Sequence, residues 1–137
     1  MAIVMIDDSP TALVVLKSFA GARGERNIIT YTKPVEALEY LSEHAADAIV
    51  VDCAMPAMDG IEFTRRLRQM VLHEKTPIVM VAAHDGSDLF KRALAAGVTT
   101  FLEKPVKVGQ FKEVLSGVLS CGGWPLIDRR MDVRAQA

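Results

Sequence analysis

The stretch DAIVVD, residues 47–52, is a β-branched apolar run that ends in an acidic side chain. The run AIVMI, residues 2–6, is likewise followed by Asp7 and Asp8, and a third run, TTFLE, is followed by Lys104. Continuous apolar runs of this length are typical of buried strands in a parallel sheet. Charges that follow such strands emerge at the carboxyl edge of the sheet, where open α/β folds build their sites.

Three carboxylates and one ammonium at a single edge predict a site for a divalent cation and a phosphoryl group. Neighbouring carboxylates repel one another, and a bound cation relieves that repulsion. All-oxygen ligands with an open, hydrated coordination sphere favour Mg²⁺. A carboxylate can also attack phosphorus to form an aspartyl phosphate, with a metal and a lysine as helpers. Asp7 and Asp8 alone are equally consistent with a turn and a helix cap, so the site depends on their combination with Asp52 and Lys104.

Strand and helix patterns alternate along the chain. The predicted strands lie near residues 2–6, 27–31, 48–51, 78–82 and 99–102, and the predicted helices near 10–21, 34–43, 61–72, 87–96 and 108–119. Five βα units with short connections predict an α/β fold, a doubly wound parallel sheet with helices on both faces. Ser9-Pro10 and Thr32-Lys33-Pro34 are similar helix starts, and Gly97 is placed to end the fourth helix.

The bulk composition predicts one domain, over residues 1–120, in a chain of 137 residues with a net charge of −1. This charge gives no reason to expect nucleic acid or a membrane surface as a direct partner. Neither a transmembrane span nor a signal peptide is predicted, and Cys53 and Cys121 fit no disulfide framework, so we expect a cytoplasmic protein. Residues 121–137 lose periodicity and are expected to be a disordered tail or the start of a linker to an output domain, with Trp124 as an anchor.

Four motifs resemble the receiver domain of bacterial response regulators, in the order and at the spacing of that family. They are IDDSP at 6–10, VDCAMPAMDG at 51–60, TPIVMVAA at 76–83 and GVTTFLEKP at 97–105. The resemblance covers residues 2–119 and implies a flavodoxin-like (βα)5 sheet with strand order 2-1-3-4-5. It also implies a signalling domain that takes a phosphoryl group from a histidine kinase or phosphotransfer protein, rather than an enzyme with a separate substrate.

The same resemblance implies a role for each charged position. Asp52 would be the phosphoacceptor. Asp8 and Asp52 would bind Mg²⁺ through their side chains, the Ala54 carbonyl would be a third ligand, and Asp7 would reach the ion through water. Lys104 would pair with a phosphoryl oxygen.

One position departs from the family pattern. Where the family has Thr or Ser at the end of the fourth strand, this chain has Ala82, which has no hydroxyl to bind the phosphoryl group. Loss of one hydrogen bond to a charged group removes about 1.5–3 kcal/mol of differential interaction, which limits any population shift. We therefore expect phosphorylation with a weakened switch. Three explanations for Ala82 remain open: an engineered change, a natural variant with another readout, and a domain that acts as a phosphate sink.

Phe101 stands at the aromatic switch position of the family. The alternative is that Phe101 is an ordinary core phenylalanine.

A partner surface is predicted on the first helix. Its periodicity predicts four sheet-facing residues: Ala12, Val15, Leu16 and Phe19. This leaves Leu13 and Val14 exposed beside the acidic site, on the helix that docks a histidine kinase or phosphotransfer domain in the resembling family. Pro105, after an implied cis bond from Lys104, is predicted to lie in the same docking surface. The alternative is that Leu13 and Val14 are scattered surface aliphatic residues without a function.

The fourth helix, fifth strand and fifth helix correspond to the family's usual output face, which could bind an output domain or a second copy of the chain. The predicted core stripe of the fourth helix is Leu89, Phe90, Ala93 and Leu94. We also expect His44 and His73 at the surface and His84 in a solvated loop.

Two other classes of function compete with a phosphorylated receiver. One is a receiver-like module that acts by protein contact alone, which Ala82 favours and the costly acidic cluster disfavours. The other is a Mg²⁺ phosphohydrolase with an Asp nucleophile, which usually has a second acid two positions later, where this chain has Ala54. A dinucleotide-binding domain is excluded because no G-x-G-x-x-G follows the first strand.

Overall fold

The computed structural model describes residues 2–21, 27–83 and 87–120. Within them, one five-stranded parallel sheet has the order β2-β1-β3-β4-β5. Its strands are β1 (Ala2–Ile6), β2 (Asn27–Tyr31), β3 (Ala46–Asp52), β4 (Ile78–Ala82) and β5 (Thr100–Glu103). The predicted fold class and strand order are confirmed.

Helices alternate with the strands and cover both faces of the sheet. They are α1 (Pro10–Ala20), α2 (Pro34–Leu41), α3 (Gly60–Arg68), α4 (Ser87–Ala96) and α5 (Val108–Ser120). Residues of α1 and α5 share one buried cluster, and residues of α2, α3 and α4 share the other. In the described part of the chain, no helix is both long and apolar enough to cross a membrane.

The central strands are buried on both sides, which explains their continuous apolar sequence. In β1, Ile3 and Met5 face the α1/α5 cluster, whereas Val4 and Ile6 face the α2–α4 cluster. Successive strand residues point to opposite faces, so a strand covered by helices on both faces has no polar side to show in its sequence.

The two predicted helix starts differ in their chemistry. Ser9 caps α1, and its Oγ accepts a hydrogen bond from the Ala12 N–H at 3.2 Å. The residue before α2 is Lys33, whose side chain makes no capping hydrogen bond, so this start shares only its proline with the first. Gly97 ends α4 with a φ of +113°, as predicted for a glycine beyond a helix.

The predicted third helix, residues 61–72, is divided in the structure. Helix α3 ends at Arg68, Met70 has an extended backbone, and a short 3-10 helix follows at Val71–His73. Apolar residues continue through this break, so the sequence does not show the interruption, but Val71 is 84% and Leu72 49% exposed.

The predicted orientation of α1 is correct for Leu16 and Val14 but wrong for Leu13 and Val15. Leu13 is only 5% exposed and is buried together with Leu16, whereas Val14 is 68% and Val15 43% exposed. The predicted stripe began at Ala12 and continued through Val15, but a stripe through Leu13 and Leu16 has the same period. The leucines bury more apolar surface than the valines, which favours the observed rotation of the helix.

Two further surface assignments need correction. His73 was expected at the surface but is fully buried, whereas His44 is exposed as predicted. Leu94 was expected in the core stripe of α4 but is exposed; Ala93 is buried as predicted, and Ala96 is buried in addition. The predictions for His84, Cys121 and Trp124, and those for the 121–137 segment, lie outside the described residues.

Candidate acidic phosphoryl site

Three carboxylates meet at the carboxyl edge of the sheet. Ile6 of β1 is paired with Val51 of β3, so the residues that follow them, Asp7 and Asp52, leave the sheet side by side. One ligand oxygen from each of Asp7, Asp8 and Asp52 lies within 4.8 Å of the others. Asp7 and Asp52 are buried and Asp8 is exposed, so the cluster runs from the interior to solvent.

Asp7 is held by its own turn. Its Oδ1 accepts a hydrogen bond from the Ser9 N–H at 2.9 Å. Burial raises the pKa of Asp7 by desolvating its carboxylate. The Ser9 hydrogen bond opposes this increase, and the negative charge of Asp52 adds to it. The positive charge of Lys104 lowers this pKa, and a bound cation would favour the ionised form of Asp7 further.

Lys104 is directed at Asp52. It follows β5, its N–H donates to the Ala82 carbonyl at 2.8 Å, and the Lys104–Pro105 peptide bond is cis, as the resemblance implied. The Lys104 Nζ lies 2.8 Å from Asp52 Oδ1. Burial lowers the pKa of Lys104, but the hydrogen bond and charge of Asp52 outweigh this effect, so its pKa is raised overall. The side chain remains an ammonium at neutral pH.

The donor set suits a divalent cation. Apart from its ion pair with Lys104, the buried Asp52 Oδ1 has no hydrogen-bond partner. One ammonium does not balance three neighbouring carboxylates, and a cation with oxygen ligands would compensate the remaining charge. The residues present therefore fit Mg²⁺.

The loop after Asp52 is pinned to the sheet by backbone hydrogen bonds. The Cys53 N–H donates to the Val81 carbonyl and the Gly60 N–H to the Cys53 carbonyl, both at 2.8 Å. A Cβ on Gly60 would lie 2.7 Å from the Asp52 carbonyl oxygen, so only glycine allows this close return. Ala54 is exposed in this loop, whereas Met55 and Met58 are buried in the core.

Cys53, directly after Asp52, is half-buried. Burial raises the pKa of its thiol, and the charges of Asp59 and Asp52 raise it further. The thiol therefore stays protonated at neutral pH.

The end of β4 has no side-chain donor for this site. Ala82 is buried and pairs with Glu103 of β5, and its side chain is a methyl group. Phe101 is also buried, and its ring centroid lies 4.5 Å from that of Phe90 in α4. Pro105 is exposed next to Lys104.

Sequence reasoning missed the backbone contacts that place the charged side chains. The Ser9 N–H that holds Asp7 and the Ala82 carbonyl that holds Lys104 are main-chain groups. The motif spacing indicates that these residues are close, but the pairing of β4 with β5 is needed to identify Ala82 as the partner of Lys104.

A doubly wound sheet with three carboxylates and a lysine at its carboxyl edge defines a class of α/β proteins that handle cations and phosphoryl groups. The family model described as response regulator receiver domain matches residues 3–116. The chain belongs to this family.

Similar proteins agree with this assignment. The chain is 30% identical over 123 residues to a chemotaxis protein CheY homolog of Campylobacter jejuni, and the match covers 89% of this chain and 95% of that protein. It is 31% identical over 118 residues to the cyclic di-GMP phosphodiesterase response regulator RpfG of Xanthomonas campestris, covering 85% of this chain and 31% of that protein.

Solved structures of similar proteins have the same fold. The chemotaxis response regulator CheY4 of Vibrio cholerae has a TM-score of 0.80 at 27% identity, over 87% of this chain and 99% of that one. The receiver domain of the sensor histidine kinase PA1611 of Pseudomonas aeruginosa has a TM-score of 0.79 at 24% identity, over 87% of this chain and 97% of that one. The PA1611 structure holds a magnesium ion in its active-site cleft.

Proposed function

We propose that this receiver domain catalyses Mg²⁺-dependent transfer of a phosphoryl group to its own Asp52, from a histidine kinase or a phosphotransfer protein. The observation that carries the proposal is the buried Asp52 carboxylate, paired with Lys104 at 2.8 Å and grouped with Asp7 and Asp8. A buried carboxylate beside a fixed ammonium and a cation site is suited to attack phosphorus.

Each residue of the site has a distinct task in this reaction. An oxygen of Asp52 forms the new bond to phosphorus while the bond between phosphorus and the donor breaks. The Lys104 ammonium, already at Asp52 Oδ1, pairs with a phosphoryl oxygen. Asp8, Asp52 and the Ala54 carbonyl would hold Mg²⁺, with Asp7 acting through water. The bound ion would neutralise charge on the phosphoryl oxygens.

The donor protein would dock on α1 and the loop that follows β5. Its contact residues would include the exposed Val14, Val15 and Pro105, whereas Leu13 is buried and is not available. The sensor histidine kinase RcsC of Salmonella typhi is 34% identical over 116 residues, a match that covers 12% of that protein, so a relative of this domain occurs within a kinase. That occurrence supports a phosphorelay context for the chain.

Because of Ala82, we expect phosphorylation to change the α4–β5–α5 face only weakly. An output domain or a second copy of the chain would bind at this face. The methyl group of Ala82 makes no hydrogen bond to a phosphoryl group, and Phe101 is already buried against Phe90. The same two observations support a second candidate, a receiver that works by protein contact without phosphorylation-dependent switching.

Acetyl phosphate with Mg²⁺ tests phosphorylation directly. Intact-mass spectrometry is expected to show the mass of one added phosphoryl group on the wild-type chain and none on Asp52→Asn. The exposed Asp88→Asn in α4 is the matched control and is expected to be modified like the wild type. An unmodified wild-type chain would refute the proposal and leave the contact-only module.

A further inference from the structure

An apolar surface is exposed at the amino edge of the sheet, opposite the acidic site. It consists of Val71 and Leu72, which lie side by side in the short 3-10 helix after α3. Both are exposed, and Val71 is the most exposed large apolar side chain among the described residues. The segment leads into β4, so it belongs to the edge at which the strands begin. Adjacent exposed aliphatic residues are a candidate contact surface.

The segment that carries this surface is held by a half-buried cation. Arg68, at the end of α3, donates from Nη1 to the carbonyls of His73 and Thr76, at 2.8 and 2.7 Å. Its Nε and Nη2 donate to the Gly97 carbonyl, which lies ahead of β5, at 3.1 and 2.7 Å. Hydrogen bonds from a charged donor are stronger than those between neutral groups. The segment is therefore fixed to α3 and to the connection before β5.

The buried His73 holds the same segment from another side. Its Nδ1 lies 2.9 Å from Thr76 Oγ1, and its Nε2 lies 2.8 Å from the Leu41 carbonyl and 3.1 Å from the His44 carbonyl. Leu41 ends α2, and His44 lies in the connection to β3. An arginine and a histidine thus keep two exposed apolar side chains in place. A surface fixed in this way loses little conformational entropy when it is covered.

Helix α5 ends at the same edge of the sheet. It begins at Val108, after the loop that carries Lys104 at the carboxyl edge, and runs back along the sheet to Ser120. It packs on β3, and the connection that precedes β3 is the one that His73 contacts. The chain therefore leaves α5 close to the start of β3. The apolar surface lies near the same start, on the other face of the sheet.

The sequence beyond Ser120 has an apolar stretch within reach of this surface. Residues 121–137 read CGGWPLIDRRMDVRAQA, in which WPLI, at 124–127, is followed by mixed charges. The two glycines before WPLI permit a reversal of the chain direction. Seven extended residues from Ser120 reach about 24 Å, roughly twice the width of a helix. That length is enough to pass round the edge of the sheet.

We propose that the WPLI segment of this same chain turns back and covers Val71 and Leu72, with Trp124 as the side chain that packs on them. Burial of an aromatic ring against two exposed aliphatic side chains removes apolar surface from water on both sides of the contact. The contact does not depend on the phosphoryl chemistry proposed above, because it lies at the opposite edge of the sheet.

The fluorescence of Trp124 tests this contact in the full-length chain, because the chain has one tryptophan. In the wild type we expect a blue-shifted emission and protection from acrylamide quenching, both relative to the chain unfolded in urea. Val71→Asp combined with Leu72→Asp is expected to abolish the blue shift and the protection, since charge would be placed in an apolar contact. Val35→Asp, at an exposed position of α2, is the matched control and should retain both.

Three outcomes would overturn the proposal. The first is wild-type emission and quenching equal to those of the unfolded chain. The second is equal protection of Trp124 in the wild type and the double variant. The third is protection that grows with protein concentration together with a dimer mass in analytical ultracentrifugation, which would assign the surface to a second copy of the chain.

A milder substitution is available if circular dichroism shows that the double variant does not fold. Val71→Ser changes only the more exposed of the two positions and is expected to reduce the protection of Trp124. Unchanged protection in Val71→Ser would then contradict the contact.

Discussion

At the scale of single residues, the acidic cluster is costly in the metal-free protein. Asp7 is 2% exposed and lies beside Asp52, so its ionised form is both desolvated and repelled. A site arranged this way binds a cation at the expense of folding stability. This loss of folding stability can be measured by substituting a single carboxylate, that of Asp7.

Asp7→Asn is expected to raise the free energy of unfolding by about 1 kcal/mol at pH 7 in EDTA. The folded-state pKa of Asp7 is above its unfolded value, so the native state binds the proton more tightly. Its stabilising contribution is therefore complete below the unfolded pKa and is lost as the pH rises through the folded pKa. Urea denaturation at several pH values should show the advantage of Asp7→Asn shrinking as the pH falls. An advantage independent of pH would contradict this explanation, and Asp88→Asn serves as the control.

Ala82→Thr is expected to strengthen the response to a phosphoryl group. A hydroxyl at the buried end of β4 would supply a hydrogen bond to a charged group, which contributes about 1.5–3 kcal/mol. Beryllofluoride, a phosphoryl mimic, should then produce larger NMR shift changes in α4 and β5 than in the wild type. Ala83→Thr, at an exposed position one residue later, is the control. Equal responses of Ala82→Thr and the wild type would show that Ala82 does not limit the switch.

At the scale of elements, α1 presents a valine pair to solvent beside the site. Val14 and Val15 are exposed because the adjacent stripe, Leu13 and Leu16, packs on the α5 side of the sheet. Adjacent exposed aliphatics near a site are a candidate contact surface for a donor protein.

Val14→Asp combined with Val15→Asp is expected to reduce phosphotransfer from a kinase about tenfold or more, since charge would be placed in an apolar contact. Acetyl phosphate needs no docking surface, so its reaction should be unchanged. Val71→Asp is the control, because Val71 is also exposed but lies beyond α3 at the opposite edge. An equal loss with both phosphodonors would place the effect in the site and not in docking.

At the scale of the whole molecule, the site and the fold are thermodynamically linked. A ligand that binds only the folded state stabilises it by mass action, by about 1.4 kcal/mol at a tenfold excess over the Kd.

Mg²⁺ at that excess should raise the Tm by about 5 °C, measured by differential scanning calorimetry. Asp8→Asn should lose most of this increase, because Asp8 is the exposed carboxylate of the cluster and a proposed ligand. The baseline Tm is measured in buffer that contains EDTA and no added divalent cation. An equal Tm increase in Asp8→Asn and the wild type would remove Asp8 from the ligand set.

The sequence by itself determined the strands of the sheet and the residues that form the acidic site. Buried strands need apolar side chains on both faces, so AIVMI and DAIVVD are readable without a structure, and Asp7, Asp8, Asp52 and Lys104 follow from their strand ends. The resemblance added the strand order and the cis bond before Pro105.

Only the tertiary structure decided how the helices are rotated and which polar groups are buried. Two stripes on α1 have the same period, and the choice of Leu13 over Val15 depends on packing with residues far along the chain. The burial of His73 depends on the carbonyls of Leu41 and His44, which its Nε2 meets at 2.8 and 3.1 Å. Such long-range partners satisfy a buried polar side chain without any local pattern, so a single sequence cannot reveal them.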